Sequence, residues 1–174
     1  MDAQVEADFR ALVIRHTRFV FRVTYALLRN THDAEDAVQE TFLRLYRNRG
    51  WQAAEDERAF LARVAWRVSV DLLRGRRPSE SVDEGKLDFP SSNPSPEQLA
   101  LTGDFAGRLH NLMDSLPEEL RQPLALSSIE ELNSRQIAAI LAIPEGTVRT
   151  RLQRARAMLK MKLAAAMGAK GVRA

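Results

Sequence analysis

Apolar residues recur every three or four positions along most of this chain, which is the period of one face of an α-helix. Over residues 9–29 this face carries Leu12, Phe19, Val20, Val23 and Leu27. No stretch shows the sustained two-residue alternation of a β-strand, and no internal repeat is present in the sequence. The pattern therefore predicts an all-α fold that begins with a long helix over residues 9–29.

A second helix is predicted to follow a break at residues 30–33. Asp33 is its expected N-cap, because a carboxylate at that position can accept hydrogen bonds from free backbone N–H groups. One face of this helix is expected to be buried: Ala34, Val38, Thr41, Phe42 and Leu45. The opposite face mixes acidic, amide, apolar and basic side chains: Asp36, Gln39, Glu40, Leu43 and Arg44.

A third helix is predicted over about residues 57–73, after a loop that contains Gly50 and Trp51. Its core stripe is expected to be Phe60, Leu61, Val64, Val68 and Leu72. A second stripe mixes cations with a large aromatic side chain: Arg63, Trp66, Arg67, Val70 and Arg74. Guanidinium groups hold phosphates and an indole can stack on an unpaired base, so this stripe suits single-stranded nucleic acid. A core Trp66 with solvated arginines is equally compatible with the residues.

Residues 133–156, NSRQIAAILAIPEGTVRTRLQRAR, predict two short helices joined by a tight turn. Pro144 cannot continue the first helix but suits the start of the second, where its missing N–H group costs nothing. The buried stripes are expected to be Ile137, Ile140 and Leu141 in the first helix and Val148, Leu152, Ala155 and Leu159 in the second. This arrangement is typical of a helix-turn-helix that binds DNA.

The second of these helices carries its polar residues where DNA recognition needs them. A rotation of about 100° per residue points one set of side chains away from the core: Thr147, Thr150, Gln153 and Arg154. Three arginines flank the core: Arg149, Arg151 and Arg156. The outward residues could reach base edges in the major groove while the flanking arginines hold phosphates.

Charge and composition divide the chain of 174 residues into two domains. Basic residues dominate residues 58–77 and the chain after residue 144, whereas acids dominate residues 78–104. Residues 78–96 combine prolines, serines and acids with few apolar side chains, which predicts a flexible acidic linker. The expected organisation is therefore a helical domain over residues 1–77, the linker, and a helix-turn-helix domain over residues 97–174.

Several functional classes find little support in the sequence. The absence of cysteine excludes disulfide frameworks and thiolate metal sites. His16, His32 and His110 are scattered, and no HExxH, GxSxG or phosphate-binding glycine loop is present, so neither catalysis, a metal nor a cofactor is expected. The first ten residues lack the apolar core of a signal peptide, and charges interrupt residues 9–28. We therefore expect a cytoplasmic protein without membrane insertion.

Three segments, in this order, resemble the extracytoplasmic-function (group 4) sigma factors of bacterial RNA polymerase. Residues 33–47, DAEDAVQETFLRLYR, are similar to conserved region 2.2 of that family. Residues 58–77, RAFLARVAWRVSVDLLRGRR, resemble the regions that melt and read the −10 promoter element. Residues 116–160 resemble region 4, which reads the −35 element. The resemblance spans nearly the whole chain and implies a subunit that directs promoter-specific initiation.

The resemblance also implies partners and site residues. Contact with the clamp helices of the polymerase β′ subunit is implied for Asp36, Gln39, Glu40 and Leu43. Capture of a flipped base and binding of the melted −10 strand are implied for Trp51, Arg58, Arg63, Trp66, Arg67 and Arg74. Contact with the −35 element is implied for Thr147, Arg149, Thr150, Arg151, Gln153 and Arg154. The β flap of core RNA polymerase, promoter DNA and an anti-sigma factor are the further partners implied.

The chain departs from the family pattern at several positions. Ala142 stands where the turn of the helix-turn-helix usually has glycine, and Glu131 where glycine commonly precedes the second helix. A positive φ at either position would cost an L-residue about 1 kcal/mol. Trp66 and Arg67 stand where arginine and asparagine are frequent. The helix-turn-helix alone would equally fit a DNA-binding regulator whose N-terminal domain senses a ligand or a partner.

Overall fold

The computed structural model describes residues 2–76, 104–129 and 132–168. Every regular element in these ranges is helical, so the prediction of an all-α fold is confirmed. The chain divides into two compact units, Met1–Asn93 and Pro94–Ala174. The predicted linker over residues 78–96 and Glu131 lie outside the described residues, and the predicted domain boundaries stay a prediction. None of the helices in the described ranges is long and apolar enough to cross a membrane.

The first unit is a bundle of three helices, α1 (Ala3–Leu28), α2 (Thr31–Asn48) and α3 (Glu57–Gly75), each of which packs against the other two. A 3₁₀ turn, Gly50–Ala53, joins α2 to α3. The side chains predicted to form the buried faces of α1 and α2 are buried, which confirms both faces: Leu12, Phe19, Val20, Val23, Leu27, Ala34, Val38, Thr41, Phe42 and Leu45.

Helix starts were predicted less well than helix faces. The first helix begins six residues before Phe9, because the side chain of Asp2 caps it by accepting from the Gln4 backbone N–H at 3.3 Å. The prediction that Asp33 is the N-cap of α2 is wrong. Asn30 is the N-cap, and its Oδ1 accepts from the Asp33 backbone N–H at 2.9 Å. Because the Asn30 side chain caps the helix, the Asp33 carboxylate is not needed as a cap and can bind another partner.

The second unit consists of α4 (Asp104–Asp114), α5 (Glu118–Ser127), α6 (Ser134–Leu141) and α7 (Glu145–Gly168). The long α7 contacts the other three helices. The predicted stripes of α6 and α7 are buried at their centres and half-buried at Leu141 and Leu159. The fully or nearly buried members are Ile137, Ile140, Val148, Leu152 and Ala155.

The turn between α6 and α7 has the backbone conformation that usually requires glycine. Ala142 lies in the left-handed region with φ 55° and ψ 43°. The Ile143 backbone N–H donates to the Ala138 carbonyl, as in a Schellman helix end, and the Ala142 N–H donates to the same carbonyl, as in the simpler αL helix end. The condition considered for Ala142 is therefore met, and this alanine has the strained backbone conformation that the family's usual glycine would adopt without strain. At the other end of α6, Asn133 and Gln136 form a reciprocal capping box.

Candidate nucleic-acid interfaces

A cavity of about 330 Å³ opens between α2 and α3 in the first unit. One wall is a stripe of α3 in which Phe60, Arg63, Val64 and Arg67 follow one another at helical spacing. The other wall and the rim come from the end of α2 and the turn after it: Arg44, Leu45, Asn48 and Gly50. The cavity therefore combines apolar walls, one aromatic ring and several cationic groups.

The arginines around this cavity differ in how far their charge is neutralised. Arg44 donates from Nε to Glu40 Oε1 at 2.8 Å and from Nη1 to Asp71 Oδ2 at 2.9 Å. These hydrogen bonds, first the one that Glu40 accepts and then the one that Asp71 accepts, raise the pKa of Arg44. Arg63 and Arg67 are exposed and have neither an ion pair nor a hydrogen bond in the described part of the chain. The free positive charge of the cavity thus comes from Arg63 and Arg67.

Gly50 brings the loop close to the aromatic wall. A Cβ atom added to Gly50 would lie 3.2 Å from Cζ of Phe60, which is tighter than ordinary van der Waals contact. A side chain at this position would therefore push against the Phe60 ring. The small residue sets the shape of the cavity at its rim.

Trp66 is not part of the exposed surface that was predicted for it. Its side chain is only 8% exposed and lies in the core of the first unit. The buried side of α3 is rotated from the predicted stripe: small residues such as Ala62 and Ala65 lie in the core, and Trp66 is buried beside them. Of the two interpretations that the sequence left open, a core Trp66 is confirmed, and a base-stacking indole at this position is wrong.

The same rotation of α3 exposes residues that had been predicted to be core. Phe60, Val64 and Leu72 are half-buried rather than fully buried. Two of them, Phe60 and Val64, line the cavity instead. The other predicted −10 arginines of this helix, Arg58 and Arg74, are exposed on its surface.

Trp51 also lies apart from the cavity that Arg63 and Arg67 line. Its ring packs against α1, with its centroid 5.7 Å from that of Phe9, and Phe9 in turn contacts the rings of Phe42 and Tyr46. The indole Nε1 of Trp51 is buried without a hydrogen-bond partner. The structure therefore does not bring Trp51 together with the two free arginines, and its predicted contact with DNA stays untested.

The face of α2 that was predicted to contact polymerase is accessible. Asp36 and Gln39 are exposed, and the apolar side chain of Leu43 is 49% exposed. Glu40 is half-buried because it is held by Arg44. These four side chains are therefore accessible to a partner, and their predicted contact with polymerase stays a prediction.

In the second unit, Glu145 connects the starts of the two helices of the helix-turn-helix. Its Oε1 accepts from Ser134 Oγ at 2.9 Å and from Arg149 Nη2 at 2.7 Å. The hydrogen bond from Ser134 and the charge of Arg149 lower the pKa of the Glu145 carboxyl. This carboxylate therefore stays ionised near neutral pH and helps to fix the angle at the turn.

The outward face of α7 matches the rotation predicted from the sequence at Thr150, Gln153 and Arg154 but not at Thr147. Arg149, Thr150, Gln153 and Arg154 are exposed, whereas Thr147 and Arg151 are half-buried. The Thr150 hydroxyl donates to the Gly146 carbonyl within the helix at 3.0 Å. An exposed polar face over two turns could enter a major groove, and the DNA contacts of its residues stay predictions.

Sequence reasoning missed Asn48, Gly50 and Phe60 as parts of a site. The signal that could have found Phe60 is its spacing from Arg63, Val64 and Arg67, which places all four on one stripe of α3. Asn48 and Gly50 carry no such signal, because only the packing of α2 on α3 brings them to the cavity. Within the described ranges, no group of three or more potential metal ligands lies close together.

Two family descriptions match the chain. Sigma-70 region 2 matches residues 12–78, and Sigma-70, region 4, matches residues 106–159. The first match contains the cavity and the free arginines of α3, and the second contains the helix-turn-helix. Both matches agree with the order of the segments predicted to resemble the family.

The chain is also similar to proteins named as RNA polymerase sigma factors. It is 37% identical over 156 residues to the ECF RNA polymerase sigma factor SigE of Mycolicibacterium smegmatis, covering 88% of this chain and 60% of that relative. It is 29% identical to ECF sigma factor SigW of Bacillus subtilis, covering 83% and 82%. It is 32% identical to the ECF sigma-E factor of Escherichia coli K12, covering 89% and 86%.

Two solved structures share the fold. One is the sigma factor RpoE in complex with the anti-sigma factor NepR from Bartonella quintana, with a TM-score of 0.65, 19% identity and coverage of 90% of this chain and 97% of that one. The other is CnrH in complex with the cytosolic domain of CnrY, with a TM-score of 0.65, 24% identity and coverage of 92% and 90%.

Proposed function

The chain belongs to the extracytoplasmic-function (ECF) family of RNA polymerase sigma factors, and we propose that it directs core polymerase to specific promoters. In this proposal the first unit binds core polymerase and opens the −10 element, while the second unit recognises the −35 element. The protein needs no chemistry of its own for this task, so we propose no catalysis. It acts where the polymerase is, in the cytoplasm.

One observation supports this proposal above the others: each unit exposes a cationic surface suited to a different form of DNA. The first unit has a cavity between two helices with the free arginines Arg63 and Arg67 at its edge. A cavity of this kind can hold a base that has left the duplex. The second unit has an exposed polar helix face, which suits an intact major groove.

In the first unit, we propose that the cavity receives the flipped base of the −10 element. Flipping loses stacking energy of a few kcal/mol, which contacts within the pocket and to the neighbouring phosphates must offset. Arg58 and Arg74 lie exposed on the same helix and are proposed to hold the backbone of the melted strand. Trp66 is left out of this site because it is buried.

In the second unit, we propose that α7 reads the −35 duplex through Thr150, Gln153 and Arg154, which are exposed. Arg149 and Arg151 are proposed to contact phosphates on either side. The hydrogen bonds of Glu145 with Ser134 and Arg149 hold the start of α7 in place before DNA binds. A prearranged helix loses less conformational entropy when it binds.

The polymerase contact is proposed to be the outer face of α2, with Leu43 at its centre and Asp36, Gln39 and Glu40 around it. Because the similar sigma factor of Bartonella quintana was solved with an anti-sigma factor, we propose that an anti-sigma factor also controls this chain. The β flap of the polymerase is the proposed partner of the second unit.

Run-off transcription with purified core RNA polymerase on a set of candidate promoters tests the proposal. The full chain should bind core polymerase and start transcription at specific sites. Leu43→Ala should weaken binding to core, because it removes an exposed apolar contact. The matched control is Ile14→Ala, which removes another exposed apolar side chain, 77% exposed on α1, and should leave core binding unchanged.

The result also separates this function from that of a DNA-binding regulator. A regulator would bind duplex DNA without core polymerase and would not open a promoter. If the chain neither binds core polymerase nor directs initiation at any promoter, the proposed function is wrong.

A further inference from the structure

We infer that Glu145 is a specificity-determining residue of the helix-turn-helix, because it restrains Arg149 and limits the attraction of this motif for DNA of any sequence. The inference rests on the proposed function, since it assumes that α7 enters the −35 duplex. It goes beyond that function by assigning a role in discrimination between DNA sequences to an acidic side chain, which DNA phosphates repel.

The charge pattern of this segment makes Glu145 an exception. Residues 133–168 contain five arginines and two lysines, and Glu145 is their only acidic residue. A purely basic segment would bind the phosphate backbone, and this attraction carries no sequence information. The single carboxylate belongs to the first residue of α7, at the end of the helix that contacts base edges in motifs of this kind.

Two helices fix the position of this carboxylate. Glu145 Oε1 accepts from Ser134 Oγ at the start of α6, at 2.9 Å, and from Arg149 Nη2 one turn along α7, at 2.7 Å. The hydrogen bond from Ser134 and the charges of Arg149 and Arg135 lower the pKa of the carboxyl. An exposed ion pair within one helix holds its partners only weakly. The hydrogen bond from Ser134 adds an anchor on a second helix, so Arg149 is held near a fixed point.

This arrangement acts on Arg149 in two ways. Its side chain is 69% exposed, but the adjacent carboxylate partly neutralises its charge and weakens its attraction to any phosphate. The guanidinium is also held in one orientation, and a phosphate contact of fixed orientation sets the register of α7 on the duplex. Loss of the carboxylate should therefore strengthen binding to unrelated DNA more than binding to the −35 element. Discrimination is the difference between these two affinities, so it should fall.

Fluorescence anisotropy over a salt series tests this role with the full chain assembled with core RNA polymerase, and core polymerase without the chain gives the background. One labelled duplex carries the −35 element of a promoter that is active in run-off transcription, and in the other duplex this element is scrambled. Glu145→Gln should bind the scrambled duplex about threefold more tightly and the −35 duplex within about twofold of the unaltered chain. The salt dependence on the scrambled duplex should steepen by about one phosphate contact.

Two further variants separate the position of the carboxylate from its charge. Glu145→Asp keeps the charge but is one methylene shorter, so it cannot bridge Ser134 and Arg149 in the same way. It should weaken binding to the −35 duplex and leave binding to the scrambled duplex unchanged. The matched control is Glu119→Gln, which removes an exposed carboxylate from α5 of the same unit. It should leave the ratio of the two affinities unchanged.

A double variant tests whether Glu145 acts through Arg149. In the Arg149→Ala background, Glu145→Gln should no longer steepen the salt dependence, because the arginine that the carboxylate restrains is absent. If the steeper salt dependence persists in this background, Glu145 does not act through Arg149 and the inference is wrong.

The inference is also wrong if Glu145→Gln weakens binding to both duplexes by the same factor with an unchanged salt dependence. A carboxylate that only stabilises the start of α7 through the helix dipole would give this result. Failure of the proposed function gives a different result. A chain that starts transcription, but whose Glu145→Gln variant discriminates as well as the unaltered chain, contradicts only the role of Glu145. A chain that starts no transcription with core polymerase contradicts both.

Discussion

The guanidinium group of Arg76 binds the carboxylate of Asp33 through two parallel hydrogen bonds, from Nη1 to Oδ2 at 2.5 Å and from Nη2 to Oδ1 at 2.6 Å. This pair joins the residue after α3 to the first turn of α2. The hydrogen bond with Arg76 is the main reason why the pKa of Asp33 lies below its ordinary value of 3.8. The same pair raises the pKa of Arg76.

Replacing this arginine should destabilise the first unit in a pH-dependent way. Asp33 is 18% exposed and Arg76 is 49% exposed, so solvent screens the pair, and Arg76→Gln should lower the free energy of unfolding by about 1 kcal/mol at pH 7. Because the pKa of Asp33 is lowered by folding, this contribution is full above pH 3.8 and is lost as the pH falls through the lowered value.

Urea unfolding followed by tryptophan fluorescence measures this change, because both tryptophans, Trp51 and Trp66, lie in the first unit. Arg76→Lys is the control that keeps the charge without the fork, and it should give an intermediate loss. A destabilisation of equal size at pH 7 and pH 3 would show that packing, and not the ion pair, causes it.

Replacing Ala142 by glycine should stabilise the second unit by about 0.5–1 kcal/mol. The Cβ atom of alanine is strained at φ 55°, and glycine removes that strain at some cost in the entropy of the unfolded chain. The control is the same substitution at Ala139, an exposed position within α6, where glycine should instead destabilise by about 0.5–1 kcal/mol. Thermal unfolding followed by circular dichroism measures both, and equal signs would contradict the role of the backbone conformation.

Removing the Glu57 carboxylate should destabilise the first unit by about 1–3 kcal/mol, because it leaves a buried polar atom without a partner. His16 is 3% exposed, and its Nε2 donates to Glu57 Oε1, which also accepts from the Arg15 guanidinium at 3.1 Å. We expect this loss for Glu57→Ala in urea unfolding. Arg15→Ala, which removes only an exposed partner, should cost less than about 1 kcal/mol.

A double variant checks the reason for this loss. When His16→Leu is combined with Glu57→Ala, no buried imidazole is left unsatisfied, so the combined loss should be smaller than the sum of the single losses. If the two losses are strictly additive, His16 and Glu57 contribute to the free energy of unfolding independently of each other, which contradicts this reason.

The buried faces of α1, α2, α6 and α7 were predictable because each helix buries one stripe of regular spacing. The buried face of α3 was not predictable in this way, because its core side is made largely of small residues, Ala62, Ala65 and Ser69, which bury Trp66 and leave Phe60 half-buried. Single-stripe reasoning therefore assigned these two aromatic residues to the wrong environments. The N-cap of α2 was misassigned for a different reason, because both Asn30 and Asp33 are good capping residues and only one position fits the chain path.

The site was predictable where one helix contains all its parts and unpredictable where two helices share it. The outward residues of α7, such as Thr150 and Arg154, follow from rotation along a single helix. The cavity joins Asn48 of α2 to Arg67 of α3, and no spacing within the sequence relates these two positions. Long-range ion pairs such as that of Arg76 with Asp33 cannot be predicted from the sequence for the same reason.

Trp66 should act in stability and not in DNA binding. Trp66→Ala should lower the free energy of unfolding by about 3–5 kcal/mol, the usual loss for a buried tryptophan. Trp66→Phe should be less destabilising and should leave the affinity for single-stranded oligonucleotides within about twofold of that of the unaltered chain, because no exposed ring is removed. Anisotropy on the folded Phe variant measures this. A loss of about tenfold or more would return Trp66 to the DNA surface.

Two arginines of α7 should respond differently to removal, because they are exposed on different sides of the helix. Arg154 lies on the face that points away from the core, and Arg156 flanks the buried stripe of Val148, Leu152 and Ala155. Arg154→Ala should weaken binding to a −35 duplex by about 1–3 kcal/mol and relax the preference at one base pair. Arg156→Ala should weaken binding to all sequences equally and lower the salt dependence by about one phosphate contact.

Anisotropy on duplexes that differ at single base pairs, repeated over a salt series, distinguishes these outcomes. An equal loss on every duplex for Arg154→Ala would assign that side chain to the phosphate backbone.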